Sequence, residues 1–231
     1  MYEEHNVFRK TTDENCKIWR YLDFTKFVSL LDKQSLYFSR IDKLEDPYEG
    51  IYPNPTRCQW NELEPRFKES IKYIELYNKK VNFINSWHIN DYESAAMWKI
   101  YLKSDEGVAI QSTFNRLAQS FGDTREVVYI GEVDYIDYNS QSIQFDNCFR
   151  PLLCKRKSFE YEHEWRAVYF YPNPEAPKEL GLNIHIDLSH LIDKIYVAPT
   201  SEDWFKELVD SILNKYKIDI EINRSDLTVV R

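Results

Sequence analysis

Glycine is scarce in this 231-residue sequence, which contains 5 glycines, 2 methionines and 4 cysteines. No glycine-rich phosphate loop, Walker lysine motif or Gly-x-Ser-x-Gly motif occurs. This argues against conventional Rossmann oxidoreductases, P-loop NTPases and α/β-hydrolases. No apolar run approaches the ~18–20 residues of a membrane-spanning helix. We therefore expect neither a transmembrane segment nor a membrane partner.

Signals for disulfides, structural metals and secretion are also missing. The cysteines form no Cys-x-x-Cys pair, and the five histidines show no His-Glu-x-x-His spacing. The N-terminus lacks a basic start followed by an apolar stretch, so we expect no secretory signal. These absences predict reduced thiols, a cytoplasmic location and no metal site.

Acidic residues number 38 and basic residues 30, which gives a formal net charge of −8. This balance argues against a protein whose whole surface binds nucleic acid, although a local basic patch remains open. Aromatic residues are abundant, with 6 Trp, 17 Tyr and 13 Phe. No repeat or Gly/Ser linker divides the chain. We predict a single domain over 1–231, with a core over about 18–200 and a C-terminal helix and strand over 201–231.

Hydrophobic periodicity predicts helices and strands in mixed order. Predicted strands cover 18–21, 35–39, 82–87, 107–112, 127–138, 163–171, 184–186, 194–198 and 218–222. Helices are predicted after Asp23, from Pro65, after a cap at Asn90, over 114–118 and from Thr200. The order lacks a steady strand–helix alternation. It therefore predicts an α+β fold, with a twisted mixed or antiparallel sheet and helices packed on it.

The most informative polar pattern lies at 155–170. On a strand, Glu162, Glu164 and Arg166 would share one face, with Val168 and Phe170 beyond them. The opposite face would be a core wall of His163, Trp165, Ala167 and Tyr169. Two interpretations stay open: the lip of a polar cleft, or an exposed sheet face with an Arg–Glu pair.

Other polar positions carry similar alternatives. Glu45, Asp46 and Glu49 in the 44–50 loop would form a self-capping turn or hold a cation, but no calcium-loop pattern occurs. Arg20 lies inside an apolar run and would face solvent or bind a ligand. Trp98 would belong to the core or to a binding site.

Several motifs occur in the order found in one bacterial family. They are WRY at 19–21, LYFS at 36–39, EDPYEG at 45–50, SW at 86–87, ESAAMW at 93–98, GVAI at 107–110, KSF at 157–159 and YEHEWR at 161–166. Over about residues 18–200 the sequence resembles the family named domain of unknown function 2971. The family's usual Asn before Asp-Pro is Glu45 here. Membership by itself assigns no reaction.

The element order also resembles that of ADP-ribosyltransferases, which carry an early Arg or His, a middle Ser or Tyr and a late Glu. This resemblance implies that Arg20 binds the phosphates or ribose of NAD, with Arg166 and Trp98 as further binding residues. It implies that Tyr37, Phe38 or Ser39 borders the nicotinamide pocket. Glu164, or else Glu162, would be the catalytic carboxylate. NAD would be a co-substrate, with no tightly bound cofactor.

Three functions therefore compete. The first is an NAD-dependent ADP-ribosyltransferase-like enzyme, a toxin or phage-defence effector, with a protein or nucleic-acid acceptor. It predicts Arg20 and Glu164 in one cleft. The second is a non-catalytic sensor or protein-interaction module, which predicts a closed ion-pair network without an open pocket. The third acts on nucleic acid through a basic patch of Lys155, Arg156, Lys157 and Arg166. The oligomeric state stays open.

Overall fold

The computed structural model describes residues 1–102, 104–173 and 175–227. The strands are β1 (Lys17–Asp23), β2 (Ser35–Arg40), β3 (Asn82–Ile89), β4 (Gly107–Thr113), β5 (Val128–Glu132), β6 (Asp134–Ile136), β7 (Cys154–Arg156), β8 (Glu164–Phe170), β9 (Gly181–His185), β10 (Lys194–Val197) and β11 (Ile222–Arg224). The α-helices are α1 (Phe24–Lys33), α2 (Asn54–Gln59), α3 (Pro65–Val81), α4 (Ala95–Tyr101), α5 (Phe114–Ser120), α6 (Leu188–Leu191) and α7 (Asp203–Lys215). The predicted α+β class is confirmed.

The main sheet is mixed and branched. Its order is β11-β10-β4-β1-β3-β2-β9, and β8 pairs with both β3 and β5. Most neighbours are antiparallel, whereas β10 and β11 are parallel. Strands β6 and β7 form a separate parallel pair. The predicted mixed or antiparallel sheet is therefore correct.

Strand β3 is the branch point that shapes the candidate site. One edge pairs with β8 over the whole of 82–88. The other edge pairs with β2 at residues 83–84 and with β1 at residues 88–89. In the described strands, residues 85–87 pair with neither β1 nor β2. The sheet therefore splits at this point, and one edge of β3 lies open between β1 and β2.

Two hydrophobic clusters cover the two faces of β8. Trp165 and Ala167 pack in the main core with residues of β1, β4 and α7, whereas Val168 packs in a second cluster with Ile84 and Leu152. The predicted alternation along this strand is confirmed from Glu164 onward. Because both faces are covered, Glu164 and Arg166 are buried rather than exposed on a sheet face.

Several predicted boundaries differ from those in the structure. The 127–138 strand is two strands, because β5 pairs with β8 and β6 pairs with β7. Ser94, not Asn90, caps α4, since the Ser94 side chain accepts from the Met97 N–H. Residues 218–221 precede β11, whose pairing with β10 begins at Ile222.

The C-terminal helix α7 contributes Phe205, Val209 and Leu213 to the main core. Glu202 precedes it, so the helix begins later than the predicted start at Thr200. The single-domain organisation stays a prediction. Among the described residues, no helix combines the length and apolarity needed to cross a membrane.

Candidate active site

A buried ion-pair network lies at the start of β8, and Arg166 is its centre. The Arg166 guanidinium donates to Glu49 Oε2 at 2.9 Å, to Glu164 Oε2 at 3.0 Å and to the Leu152 carbonyl at 2.6 Å. Arg166 is only 1% exposed. Burial opposes its charge, but Glu49 and Glu164 outweigh that effect and raise the pKa of Arg166. The cation is therefore held in a fixed orientation.

Lys155 supplies the second cation of the network. Its Nζ lies 2.8 Å from Glu164 Oε1 and 3.5 Å from Glu49 Oε1, and it also donates to Glu162. Burial opposes the charge of Lys155, but the carboxylates of Glu164 and Glu49 raise its pKa. Three carboxyl groups thus share two buried cations. Such an arrangement is costly unless its groups are paired or meet a ligand.

The two glutamates of the network differ in proton affinity. Burial and the neighbouring Glu164 raise the pKa of Glu162 to about 8. Glu164 is buried as well, but Arg166, its contact with Glu162 and Lys155 lower its pKa well below the ordinary value. Glu164 is therefore ionised at neutral pH, whereas Glu162 holds a proton over much of the neutral range.

Glu162 does not lie on the strand, which corrects the predicted shared face. Residues Lys157–Glu162 form a 3-10 helix, and His163 then adopts a left-handed conformation with φ 37°. This turn reverses the chain before β8 begins at Glu164. Glu162 and Glu164 meet through Lys155 instead of through strand alternation.

His88 holds this turn from β3. Its Nδ1–H donates to the Glu162 carbonyl at 2.6 Å, and the next residue, Ile89, donates its N–H to the His163 carbonyl at 2.6 Å. Nδ1 therefore carries the ring proton. Burial lowers the pKa of His88, so the ring is neutral at pH 7. Its Nε2 is buried without a hydrogen-bond partner among the described residues.

Arg20 lies at the split in the sheet. Its Nη1 donates to the Ser86 carbonyl at 2.6 Å, on the stretch of β3 that neither β1 nor β2 pairs. The guanidinium lies 6.0 Å from the Trp87 ring centroid. Burial lowers the pKa of Arg20, whereas Tyr101 and Glu164 raise it through their charges. Arg20 and Glu164 thus interact electrostatically across β3.

The three β2 residues that were predicted to border a pocket lie in different environments. Phe38 is fully buried in the main core, where its ring contacts Phe121, so it does not border a pocket. Tyr37 is half exposed and lies across Gly181 of β9, where a Cβ would come within 2.1 Å of the Tyr37 hydroxyl. Ser39 is partly buried and pairs with Ile84 and Gly181.

Trp98 is a core residue and does not join the network. It is 3% exposed, its ring packs edge-on against Tyr21 at 5.0 Å, and its Nε1 donates to Glu93 Oε2 at 2.7 Å. Glu93 also accepts from Ser225, so this corner attaches the C-terminal segment. Trp98 therefore stabilises the α4 packing against β1.

The loop at 44–50 forms a local turn and also contributes one carboxylate to the ion-pair network. Asp46 accepts from the Tyr48 N–H, which confirms the self-capping turn, and it also pairs with Arg156 at 2.9 Å. Glu49 reaches the buried network. The sequence pattern gave no signal for this contact, because Glu49 and Arg166 lie 117 residues apart. In the described part of the chain, no group of His, Cys, Asp and Glu could hold a metal ion.

The predicted basic patch does not form. Lys155 and Arg166 are buried in the network, and Arg156 pairs with Asp46 while stacking on Tyr48 at 4.6 Å. Lys157 remains exposed. A polar cleft of about 530 Å³ opens beside it, lined by residues 136–141, Tyr48 and 156–158. This cleft includes neither Arg20 nor Glu164.

No protein-family model matches the chain, and no curated protein sequence matches it. Three solved structures of Thermus sp. 2.9 DarT align with it over most of both chains. They are the complex with NAD+ (TM-score 0.46, 10% identity, 95% and 100% of the two chains), with carba-NAD+ (0.44, 9%, 93% and 97%) and with ADP-ribosylated ssDNA (0.45, 10%, 94% and 97%). At this level of similarity the alignments carry no argument about the site. The motif resemblance to a bacterial family stays a prediction.

Proposed function

We propose that this protein transfers ADP-ribose from NAD to a macromolecular acceptor. The observation that carries the proposal is the buried, ionised Glu164, held by Arg166 and Lys155, with Arg20 across the adjoining split of the sheet. Breaking the bond between nicotinamide and ribose builds positive charge on the sugar. A fixed carboxylate stabilises such an oxocarbenium-like state.

In this proposal each residue of the site has its own role. Arg20 binds the pyrophosphate or ribose of NAD, because a guanidinium can donate two parallel hydrogen bonds to phosphate. Tyr37 and Ser39 border the nicotinamide. Nicotinamide leaves with the bonding electron pair, the acceptor oxygen or nitrogen bonds to the ribose C1, and the acceptor proton passes to Glu162 in its ionised form, which is the minor species at pH 7. A carboxyl group whose pKa lies near neutrality suits this exchange.

NAD is a consumed co-substrate in this proposal, and no tightly bound cofactor takes part. The acceptor is a protein or a nucleic acid. We further propose membership of the bacterial family that the motifs resemble, and action in the cytoplasm as a toxin or phage-defence effector.

A second candidate is a non-catalytic sensor or interaction module. The closed state of the network favours it, because Glu49, Lys155, Glu162, Glu164 and Arg166 are each less than a tenth exposed. Catalysis requires that NAD displace part of this closed arrangement, whereas an interaction module needs only its rigidity. The two candidates therefore differ in whether NAD binds at all.

The test measures transfer of label from adenine-labelled NAD to macromolecules in a bacterial lysate, for wild type and Glu164→Gln. We expect transfer by wild type and at least about a hundredfold loss in the variant. Glu75→Gln is the matched control, since Glu75 is a buried carboxylate paired with Arg57 at 2.6 Å outside the network. It should keep activity.

Nuclease and protease digestion of the labelled product then identifies the acceptor class. Thermal unfolding with and without NAD completes the test, because binding to the folded state alone raises the melting temperature. If NAD gives no transfer and does not raise the melting temperature, the transferase proposal is overturned and the interaction module is favoured. Loss of transfer in both variants would assign the effect of Glu164→Gln to impaired folding.

A further inference from the structure

Helix α3 has its amphipathic character partly reversed. Its buried face carries two polar residues: Glu75, which pairs with Arg57, and Asn78, which donates to the Cys148 carbonyl at 2.7 Å. On the opposite side of the helix, the apolar residues Tyr73 and Leu76 are 70% and 61% exposed. Surface helices normally bury their apolar stripe. The outer apolar face of α3 therefore indicates an interaction surface.

The middle of this face is a stripe with a definite charge order. Glu69, Tyr73, Leu76 and Lys80 follow at spacings of four, three and four residues, which places them in one row along the helix. All four are exposed. Within residues 1–102, 104–173 and 175–227, neither Glu69 nor Lys80 has an ion-pair partner. We call these four residues the α3 stripe.

The α3 stripe is complementary to itself when two copies run antiparallel. Glu69 of one copy then faces Lys80 of the other, and Tyr73 of one copy faces Leu76 of the other. Both contacts occur twice about a twofold axis near the middle of the helix. A closed dimer has this isologous symmetry, in which one patch meets the same patch. Antiparallel helix packing brings such rows together at ~8–10 Å between the axes.

We propose that the α3 stripe binds a second copy of this chain as an antiparallel helix pair. One helix on each side buries less surface than the ~1,200–2,000 Å² of a standard stable interface. The dimer is therefore weak and reversible, with a Kd in the micromolar range, roughly 1–100 μM. The proposal is independent of the transferase, since the stripe includes no residue of the ion-pair network.

Two charge-reversal variants test this proposal, and mixing them serves as a rescue experiment. Glu69→Lys places Lys opposite Lys80 twice in the dimer, and Lys80→Glu places Glu opposite Glu69 twice. We expect each variant alone to raise the Kd about tenfold or more, measured by sedimentation velocity across a concentration series. Mixing the two variants should restore association, because both contacts in the mixed dimer are then attractive. Glu207→Lys on α7, also exposed, is the control of equal charge change.

Other occupants of this face give different results. An anionic partner such as a membrane or a nucleic acid would bind Glu69→Lys more tightly than wild type, and mixing would restore nothing. Vesicles with anionic lipid and a single-stranded oligonucleotide serve as the probes for this outcome. A wild-type protein that stays monomeric up to about 500 μM would overturn the proposal. So would equal weakening by Glu207→Lys.

Discussion

At the scale of single residues, Glu162 and Glu164 are close in sequence but have opposite environments. Glu164 faces both buried cations, whereas Glu162 faces only Lys155 and the charge of Glu164. Lys155 and Arg166 together keep Glu164 ionised. Lys155 alone does not offset the burial of Glu162 and the negative charge of Glu164. Environment rather than residue type therefore assigns one carboxylate to charge stabilisation and the other to proton exchange.

The raised pKa of Glu162 predicts a pH dependence of stability. Between the ordinary value of 4.5 and about 8, the folded state keeps a proton that the unfolded state releases. The free energy of unfolding therefore falls as pH rises through this window, by at most about 1.4 kcal/mol per pH unit. Glu162→Gln removes the titrating group, so its stability relative to wild type should increase from pH 5.5 to pH 8.5.

Urea denaturation at a series of pH values measures this difference. His88 and the N-terminal amine, whose pKa values are also shifted, titrate nearby, but they cancel when wild type and variant are compared at each pH. Glu160→Gln, an exposed neighbour, is the control. A difference between Glu162→Gln and wild type that stays constant with pH would show that Glu162 is ionised throughout.

At the scale of elements, α4 begins at a different cap from the one its sequence suggested. Asn90 followed by Glu93 has the spacing of a capping box, but Ser94 makes the capping bond. Strand β3 ends at Ile89, and the carbonyl of the next residue, Asn90, accepts from Trp19 Nε1 at 2.8 Å. Glu93 instead accepts from Trp98 and Ser225. Tertiary contacts thus displaced the cap by four residues.

Two substitutions test the position of this cap. Ser94→Ala should lower the free energy of unfolding by about 1 kcal/mol, because it removes the side-chain acceptor at the helix start. Asn90→Ala should have little effect, since its hydrogen bond to Trp19 uses the backbone carbonyl. Chemical denaturation of both variants measures the difference. The reverse order of effects would restore Asn90 as the cap.

At the scale of the whole molecule, the split of the sheet places Arg20 beside β3, with Glu164 on the strand that pairs with the other edge of β3. Arg20 donates to the Ser86 carbonyl inside that split and interacts with Glu164 across β3. Arg20→Lys keeps the positive charge but loses the planar pair of donors. We expect the folded protein to persist with a small loss of stability, about 1 kcal/mol for one hydrogen bond.

Under the proposed function NAD raises the melting temperature of wild type, and the same variant should lose this stabilisation. Differential scanning fluorimetry over a series of NAD concentrations measures it. Arg116→Lys is the matched control, because Arg116 also donates to a backbone carbonyl, that of Ile192 at 2.6 Å, away from the network. Equal stabilisation of Arg20→Lys and wild type by NAD would remove Arg20 from the binding site.

The sequence by itself determined the local features of this protein. Apolar alternation predicted β8 from Glu164 onward, with Trp165 on its buried face. Helical spacing predicted α3 and α7. These features depend on neighbours within a few residues, so periodicity reports them directly. The α+β class followed from the mixed order of the elements.

Only the tertiary structure decided which charges meet. Glu49 reaches Arg166 across 117 residues, and Arg20 reaches Ser86 across 66. The split of β3 and the left-handed turn at His163 place these groups together, and neither has a local signature in the sequence. Burial then determines protonation, since removing charged groups from water makes their pairing decisive. The local pattern at 155–170 therefore indicated the β8 residues of the candidate site, whereas the tertiary fold alone brought Glu49 and Arg20 to them.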